Sequence, residues 1–424
     1  MRVLLVTVGS QGDVQPFVAL ASRLRGAGHE PVLAAPALYQ GLAAAGDVPF
    51  VPLDLDMTEV GRAVAGRHGL RHLFAFAKAM GRRAGQVLPG VSACATVPGQ
   101  ADVVVHHPVL PIGQHLAEML GVPAVVASPS PALVPTREFP SAAWPCAIGL
   151  PALLSRASYP AARYLTGAWC RREVDGWRRS TLGLGRRPGR HDPLGDPSVT
   201  VLHSFSRHVV PRPADWPATA HVTGYWHTRS DPAWAPPRRL ADFLGTGDPP
   251  VYLGFGSMPV DSPAALAEAI TMAAKRTGAK FVVHCLDPEL RRRLAGDSER
   301  MLMVRQVPHD WLFPRTAAVV HHGGAGTTGA AAAAGRPQVI WPFGIDQHFW
   351  AARMTGLGVA VPAGPVRTLT GDRLARAVDQ AISDLRVSDL AQDLARRVRA
   401  EDGTGQAVAH LERLARGASV AARA

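Results

Sequence analysis

Two doubly wound α/β halves joined by a proline-rich hinge are what the sequence predicts, with ligand in the crevice between them. Three observations lead there. Short, branched apolar runs alternate with helical spacing in both halves, glycine-rich turns follow several of the strand ends, and proline thickens once in mid-chain. At 424 residues there is room for two domains of ordinary size.

Residues 2–8 (Arg-Val-Leu-Leu-Val-Thr-Val) have the length and branching of a strand buried on both faces. The turn Gly9-Ser10-Gln11-Gly12-Asp13 leads into a helix at 14–26, where Phe17, Val18, Leu20, Ala21 and Leu24 recur at helical spacing. Gly26 and Gly28 end that helix, and 32–35 is the second strand. Together they make a right-handed βαβ unit. Residues 101–105 and 124–127 read as later strands around a helix at 113–120, and 199–202 closes the first half. Pro211, Pro213, Pro217, Pro232, Pro236 and Pro237 then crowd a stretch with Trp216, Trp226 and Trp234, which reads as a surface linker. The expected division is 1–215, a linker at 216–240, and 241–424. In the second half, strands are expected at 251–254, 280–285, 301–304, 317–320 and 338–341, with a helix at 264–276. Helices at 372–384 and 405–416 finish the chain, the last placed to pack back onto the first domain.

Composition narrows the function. Hydrophobic residues make up 47% and charged residues 18%, without repeats or low-complexity tracts, as in ordinary globular proteins. Cys94, Cys146, Cys170 and Cys285 are scattered, with no Cys-x-x-Cys and no zinc-spaced histidines, so they read as free thiols in a reducing cytoplasm. No apolar run reaches about 18 residues, and the amino terminus is too soon broken by glycine for a signal peptide. A cytoplasmic protein is expected. The net charge of +12 invites a nucleic-acid partner, but lysine occurs only at positions 78, 275 and 280. The densest run, 171–190, holds seven arginines together with Glu173 and Asp175 and reads as a solvated helix and loop. It matches no nucleic-acid-binding frame, so no nucleic acid is expected. It does leave room for a weak peripheral contact with an anionic membrane surface.

The stretch with most chemistry is His321-His322-Gly323-Gly324-Ala325-Gly326-Thr327-Thr328, between an apolar strand and the alanine-rich 329–334. Strand, glycine turn and helix leave unpaired N–H groups and roughly half a positive charge at the helix start, which suits a phosphate. Thr327 or Thr328 would cap the helix or bond a phosphate oxygen. Asp13 follows the first strand, where it would serve as a general base or as a helix N-cap; the spacing favours neither. Asp346 and Gln347 follow the strand at 338–341 and offer acceptors and donors for sugar hydroxyls, or else start a helix. Ser257, at another strand end, would bond a phosphate. Asp54-x-Asp56 has a manganese-binding look, but Glu59 is the one acid that follows closely, no histidine or further aspartate clusters there, and a capping loop is the better reading. No metal site is expected. His106 and His107 end a strand as cleft-lining or packed residues, and the apolar 129–150, with Phe139 and Trp144, reads equally as a pocket wall or as ordinary core packing.

In combination these motifs resemble the GT-B family of nucleotide-sugar glycosyltransferases, above all sterol glucosyltransferases and bacterial transferases that glycosylate antibiotics. The likeness runs over nearly the whole chain. It is carried by Gly9-Ser10-Gln11-Gly12-Asp13-Val14-Gln15-Pro16, Gly254-Phe255-Gly256-Ser257-Met258, Val307-Pro308-His309-Asp310-Trp311-Leu312-Phe313, the histidine–glycine stretch and Asp346-Gln347. It implies two Rossmann-like domains facing a central cleft, the first binding acceptor and the second the nucleotide sugar. It further implies Asp13 as the base on the acceptor hydroxyl, with Ser10 and Gly12 near the donor phosphates and Ser257 as a further phosphate contact. His321, Gly323, Gly324, Ala325, Gly326 and Thr327 match the diphosphate cradle, and Asp346 and Gln347 the grip on the sugar. Gln306 and Val307 match the positions beside the base, where plant relatives stack a tryptophan; its lack here leaves UDP and dTDP both open. Gln11 stands where many relatives have arginine. The activity implied is inverting transfer of a hexose from a UDP- or dTDP-sugar to a lipophilic hydroxylated molecule, without metal or other cofactor, by a monomer or homodimer. His106, Phe139 and Trp144 are the candidate acceptor contacts.

Two rivals share these features: a nucleotide-sugar epimerase on the same fold, and a non-catalytic sugar-nucleotide binding protein. A dinucleotide dehydrogenase is disfavoured, because Gly9-x-x-Gly12 is not Gly-x-Gly-x-x-Gly and no acid closes the second strand.

Overall fold

A computed structural model of the chain describes residues 1–55, 60, 63, 67, 69–95, 101–109, 112–144, 150–167, 171–185, 196–231, 233–256, 258, 262–295 and 299–421. The polypeptide forms two compact units, Met1–Thr228 with Glu401–Ala424, and Arg229–Ala400.

The first unit is built on β1 (Arg2–Val6), β2 (Glu30–Pro36), β3 (Phe50–Leu53), β4 (Val103–His106), β5 (Ala124–Ser128), β6 (Thr200–His203) and β7 (Ala220–Val222). They lie in the order β3-β2-β1-β4-β5-β6-β7, and every pairing is parallel. A parallel sheet needs both faces covered, so its strands are apolar on both sides. Val3, Leu5, Val103 and Val105 face the helix Gln11–Gly26 through Phe17, Leu20 and Leu24. Leu4, Val6 and Val104 face the helix Gly69–Ala95 through Val87, Leu88 and Val91. Strand order turns back between β1 and β4, and a crevice opens at such a switch point beyond the strand ends.

The second unit repeats the plan with β8 (Val251–Gly254), β9 (Phe281–His284), β10 (Met301–Val304), β11 (Val319–His321), β12 (Gln338–Ile340) and β13 (Ala360–Pro362). Their order is β10-β9-β8-β11-β12-β13, all parallel, with the switch point between β8 and β11. Helices Pro263–Thr277 and Gly371–Ser383 cover one face with Leu266, Ile270, Leu374 and Val378. Leu240, Leu312, Phe313 and Ala331 cover the other. The helix Pro263–Thr277 starts where Ser262 accepts the Ala265 N–H at 3.2 Å, with proline at its first position.

Several expectations need correction. The first helix starts at Gln11 rather than residue 14, because Ser10 takes the N-cap. The helix Gly69–Ala95 was not expected: Gly81, Gly85, Pro89 and Gly90 dilute its signal, and packing rather than propensity holds it. β3 carries Pro52, which an edge strand tolerates. The proline-rich stretch is no surface linker at its start. It supplies β7, and Trp216 and Trp226 are buried there, with Trp226 in the core beside Phe17's helix. β13 and the helix Leu385–Arg399 were also unexpected. The last helix, Gly403–Ala421, belongs to the first unit. Ala407, Val408 and Leu411 join its core, and Gly403 lies so close to Tyr225 that a Cβ there would be 2.4 Å from the Tyr225 carbonyl oxygen.

Among the described residues no helix is long and apolar enough to cross a membrane. Cys94 and Cys285 are buried free thiols; Cys146 and Cys170 lie outside the described residues.

Candidate active site

In the first unit the crevice beyond β1 and β4 is organised around Asp13. It stands at the third position of the helix Gln11–Gly26, where a carboxylate gains from the helix dipole. Its Oδ2 accepts both the backbone N–H and the hydroxyl of Ser10, at 2.7 and 2.9 Å. The bond from the N-cap backbone is the acidic half of a capping box, so Asp13 caps from the third position and not as the N-cap. Gly9 makes room for this: its φ is +133°, and a Cβ would lie 2.3 Å from Oδ2. The other oxygen, Oδ1, lies 3.5 Å from Nε2 of His107. Tyr39 is close enough for burial and the Asp13 charge to push its hydroxyl up to about 12.

The histidine pair at the end of β4 divides. His106 pairs with Val6 in the sheet, is only 1% exposed, and its Nδ1–H donates to the His107 carbonyl at 3.2 Å. Burial lowers its pKa to about 4. Gly113 leaves space for the ring, since a Cβ there would meet the His106 Cβ at 2.3 Å. His106 is therefore core, and the expectation that it contacts the acceptor is withdrawn. His107 is the member beside Asp13.

The corresponding pair of the second unit behaves alike. His321 closes β11 opposite Gly254 and is fully buried. Its Nδ1 accepts the Gly323 N–H at 3.1 Å, so Nε2 carries the proton and donates to Gln338 Oε1 at 2.9 Å. Both ring nitrogens are spent inside the fold, which corrects the expectation that His321 touches the diphosphate. His322, the next residue, is placed differently. Among the described residues its buried Nδ1 has no partner, and its ring lies between Gly256 and Gly324. A Cβ on Gly324 would come within 2.5 Å of His322 Nε2, and one on Gly256 within 3.1 Å of the ring. Burial lowers the pKa of His322 to about 4, so the ring is neutral near pH 7.

Gly324, not a threonine, caps the helix Ala325–Ala334; Thr328 is buried and its N–H bonds the Gly324 carbonyl at 2.9 Å. Gly323 needs its φ of +89°, and a Cβ would strike Ile340 at 2.8 Å. The turn presents first-turn N–H groups that lack helical partners, the arrangement an anion requires. Asp346 leads into the helix Gln347–Gly356 and accepts the Trp350 indole N–H at 3.1 Å. It follows Ile345, whose φ of 53° is strained for a branched residue, and such strain concentrates at functional turns. Gln347 is 7% exposed, and its Oε1 accepts the N–H groups of Phe343 and Gly344 at 2.8 and 3.3 Å. Gln347 thus holds the turn before Asp346 and has little left for a sugar. Gln306 is exposed and Val307 half-buried just after β10.

Ser257 and Asp56 lie outside the described residues. Gly12 is exposed and Ser10 is committed to Asp13. In the expected acceptor wall, Phe139 and Trp144 are half-buried, in a loop held by Ser141 Oγ on the Ala132 carbonyl at 2.8 Å and Tyr159 on the Phe139 carbonyl at 3.1 Å. Residues 145–149 of that wall are outside the described set. Among the described residues no three acidic, histidine or cysteine side chains group to hold a metal. The sequence gives no role to Tyr39 and does not single out His107 or His322 within their doublets. The two His-His doublets were the available signal.

Residues 3–137 match the glycosyltransferase family 28 N-terminal domain, and residues 271–414 match the erythromycin biosynthesis protein CIII-like C-terminal domain. The chain is 35% identical over 435 residues to O-mycaminosyltylonolide 6-deoxyallosyltransferase of Streptomyces fradiae, covering 97% of each. It is 30% identical over 423 residues to a sterol 3-beta-glucosyltransferase of Neosartorya fischeri, covering 96% of this chain and only 29% of the fungal enzyme's length. Similar solved structures include glycosyltransferase VinC in complex with DTDP (TM-score 0.69, 21% identity, 98% of this chain and 100% of that one). Another is SnogD from Streptomyces nogalater (TM-score 0.68, 23% identity, 98% and 99%). The fold is that of the GT-B glycosyltransferases, as the resemblance implied. The chain belongs to the glycosyltransferases that join a family 28 N-terminal domain to a CIII-like C-terminal domain, and it is an enzyme of that class.

Proposed function

We propose that this enzyme moves a hexose from a UDP- or dTDP-sugar to a hydroxyl of a lipophilic small molecule, a sterol, polyketide or other natural product, with inversion. The observation that carries this reading is Asp13 at the β1–β4 switch point. Oδ2 has both lone pairs taken by Ser10, while Oδ1 is left to take a proton. In the proposed step, Oδ1 takes the acceptor's hydroxyl proton as that oxygen bonds the anomeric carbon. The bond from that carbon to the diphosphate oxygen breaks on the opposite face. Charge on the departing diphosphate is met by the N–H groups at the start of the helix Ala325–Ala334 and by His322, so the reading needs no metal. Asp346, positioned by the Ile345 turn, takes the sugar hydroxyls, and Gln347 supports that turn.

The acceptor class draws on relatives named for O-mycaminosyltylonolide and for sterols, and the donor class on the structure of VinC with DTDP. Both belong to those proteins, and a screen decides for this one. Thermal shift with UDP- and dTDP-sugars, followed by product analysis with sterol and polyketide acceptors, is expected to give one stabilising donor and a glycosylated acceptor of inverted configuration. Isomerised sugar nucleotide formed from donor alone would instead support the epimerase reading. Donor binding without turnover across the whole panel would support a binding protein.

A further inference from the structure

Resting on the reading of Asp13 as base, we propose that His107 is the positioning residue of that base: its Nε2–H fixes Asp13 Oδ1 and keeps the carboxylate ready to take a proton. The tautomer is set by the surroundings. Nδ1 of His107 accepts the Val109 N–H at 3.4 Å, so the ring proton sits on Nε2. That Nε2 is buried, and among the described residues its polar neighbour is Asp13 Oδ1 at 3.5 Å, longer than a hydrogen bond. A buried N–H without a closer partner, aimed at a carboxylate, is costly unless it serves one. Such contacts commonly tighten when substrate fills a catalytic site. The ring itself is held: its side chain is 4% exposed and it meets Phe17 edge-on with centroids 6.2 Å apart.

The sheet explains why this pair exists. Asp13 follows β1 and His107 follows β4, the two strands that flank the switch point, so the topology brings both loops together. Once the His107 contact tightens, the carboxylate has three donors, two on Oδ2 and one on Oδ1, which leaves a single defined site for the acceptor's proton. A neutral donor suits this better than a cation would. An imidazolium would hold Asp13 as an ion pair and weaken it as a base, whereas burial lowers the pKa of His107 against the opposing pull of Asp13. The ionisable groups that sense the pair are Tyr39 after β2 and His106 on β4, and both are neutral near pH 7.

The test compares His107→Leu, His107→Gln and Asp13→Asn in the full chain, each assayed for kcat, donor KM and the pH profile of kcat/KM. His107→Leu is expected to lower kcat by about ten- to a hundredfold with donor KM unchanged. Its acid limb should move to higher pH, because the charged carboxylate loses a donor that favours it over the protonated form. His107→Gln, which restores an N–H, should recover most of the rate and return the limb towards wild type. A purely structural role would give neither the shift nor the rescue. Wild-type kcat and an unmoved limb in His107→Leu overturn the proposal, as does a loss that glutamine fails to rescue. Should the leucine variant not fold, His107→Phe replaces it on the same criteria. Activity in Asp13→Asn would instead remove the base reading itself, so the two failures are distinguishable.

Discussion

Two parallel sheets in this enzyme end at their switch points in the same way, with a strand running into a histidine doublet, yet the two doublets serve different groups. At β4 the strand's last residue, His106, is packed under Gly113, and the next, His107, turns to a carboxylate. At β11 the last residue, His321, is spent on Gly323 and Gln338, and the next, His322, lies against the glycine turn with one nitrogen unpartnered among the described residues. Position along the strand makes the difference. The final residue of a parallel strand is still enclosed by its neighbours, while the residue after it is the first able to face the crevice. The group opposite that residue decides its chemistry. In the second unit it is a helix N-terminus suited to an anion; in the first, it is a carboxylate brought in by the neighbouring loop.

This comparison can be broken most sharply at His321. Replacement by leucine strands the buried Gly323 N–H and the Gln338 carbonyl, and is expected to destabilise the second unit by about 2–5 kcal/mol in chemical denaturation. A His321→Leu protein of wild-type stability would contradict the structural assignment. At His322 the expected loss is of function. His322→Leu should weaken donor binding by about tenfold or more in calorimetry, since a bond to a charged group contributes about 1.5–3 kcal/mol, with little change in unfolding. Unchanged donor affinity would return the phosphate contact to the backbone alone.

Acid should expose what the buried rings share. Burial lowers the pKa of His106 and His322 to about 4 and that of His321 to about 3, from 6.5. A lowered histidine pKa means the unfolded chain binds the extra proton first. Stability is then whole above about pH 6.5 and falls as pH drops toward 4, by about 1.4 kcal/mol per pH unit for each such ring. Unfolding measured between pH 7 and 4 should show this slope, reduced in His106→Leu. That variant should otherwise be close to neutral at pH 7, because it removes a buried ring with an unpaired nitrogen. The smallest effect expected is that of EDTA, which should leave transfer unchanged; a loss restored by added magnesium would overturn the metal-free leaving-group reading.

Much of this architecture is legible in the chain itself. The β1–helix–β2 unit and the strand–glycine–helix unit around 321–328 can be read because branched strands, helical spacing and glycine turns agree there. The long helix Gly69–Ala95 and β7 escape such reading, since glycines and prolines blur the pattern and long-range packing decides the outcome. At the site, the motif identifies Asp13 but not which oxygen is free, and it identifies two doublets but not which member faces the ligand. The motif points to His321 for the diphosphate and to Gln347 for the sugar, because their partners, Gln338 and the Phe343–Gly344 backbone, are set only by the fold.

The division of labour between the two crevices rests finally on Asp13. Asp13→Asn keeps the size of the side chain and removes its basicity. Steady-state transfer, measured beside donor binding by calorimetry, should fall by about a hundredfold or more while donor affinity stays at the wild-type value. Transfer at the wild-type rate in that variant would contradict the account, because no other carboxylate has been assigned to receive the acceptor's proton.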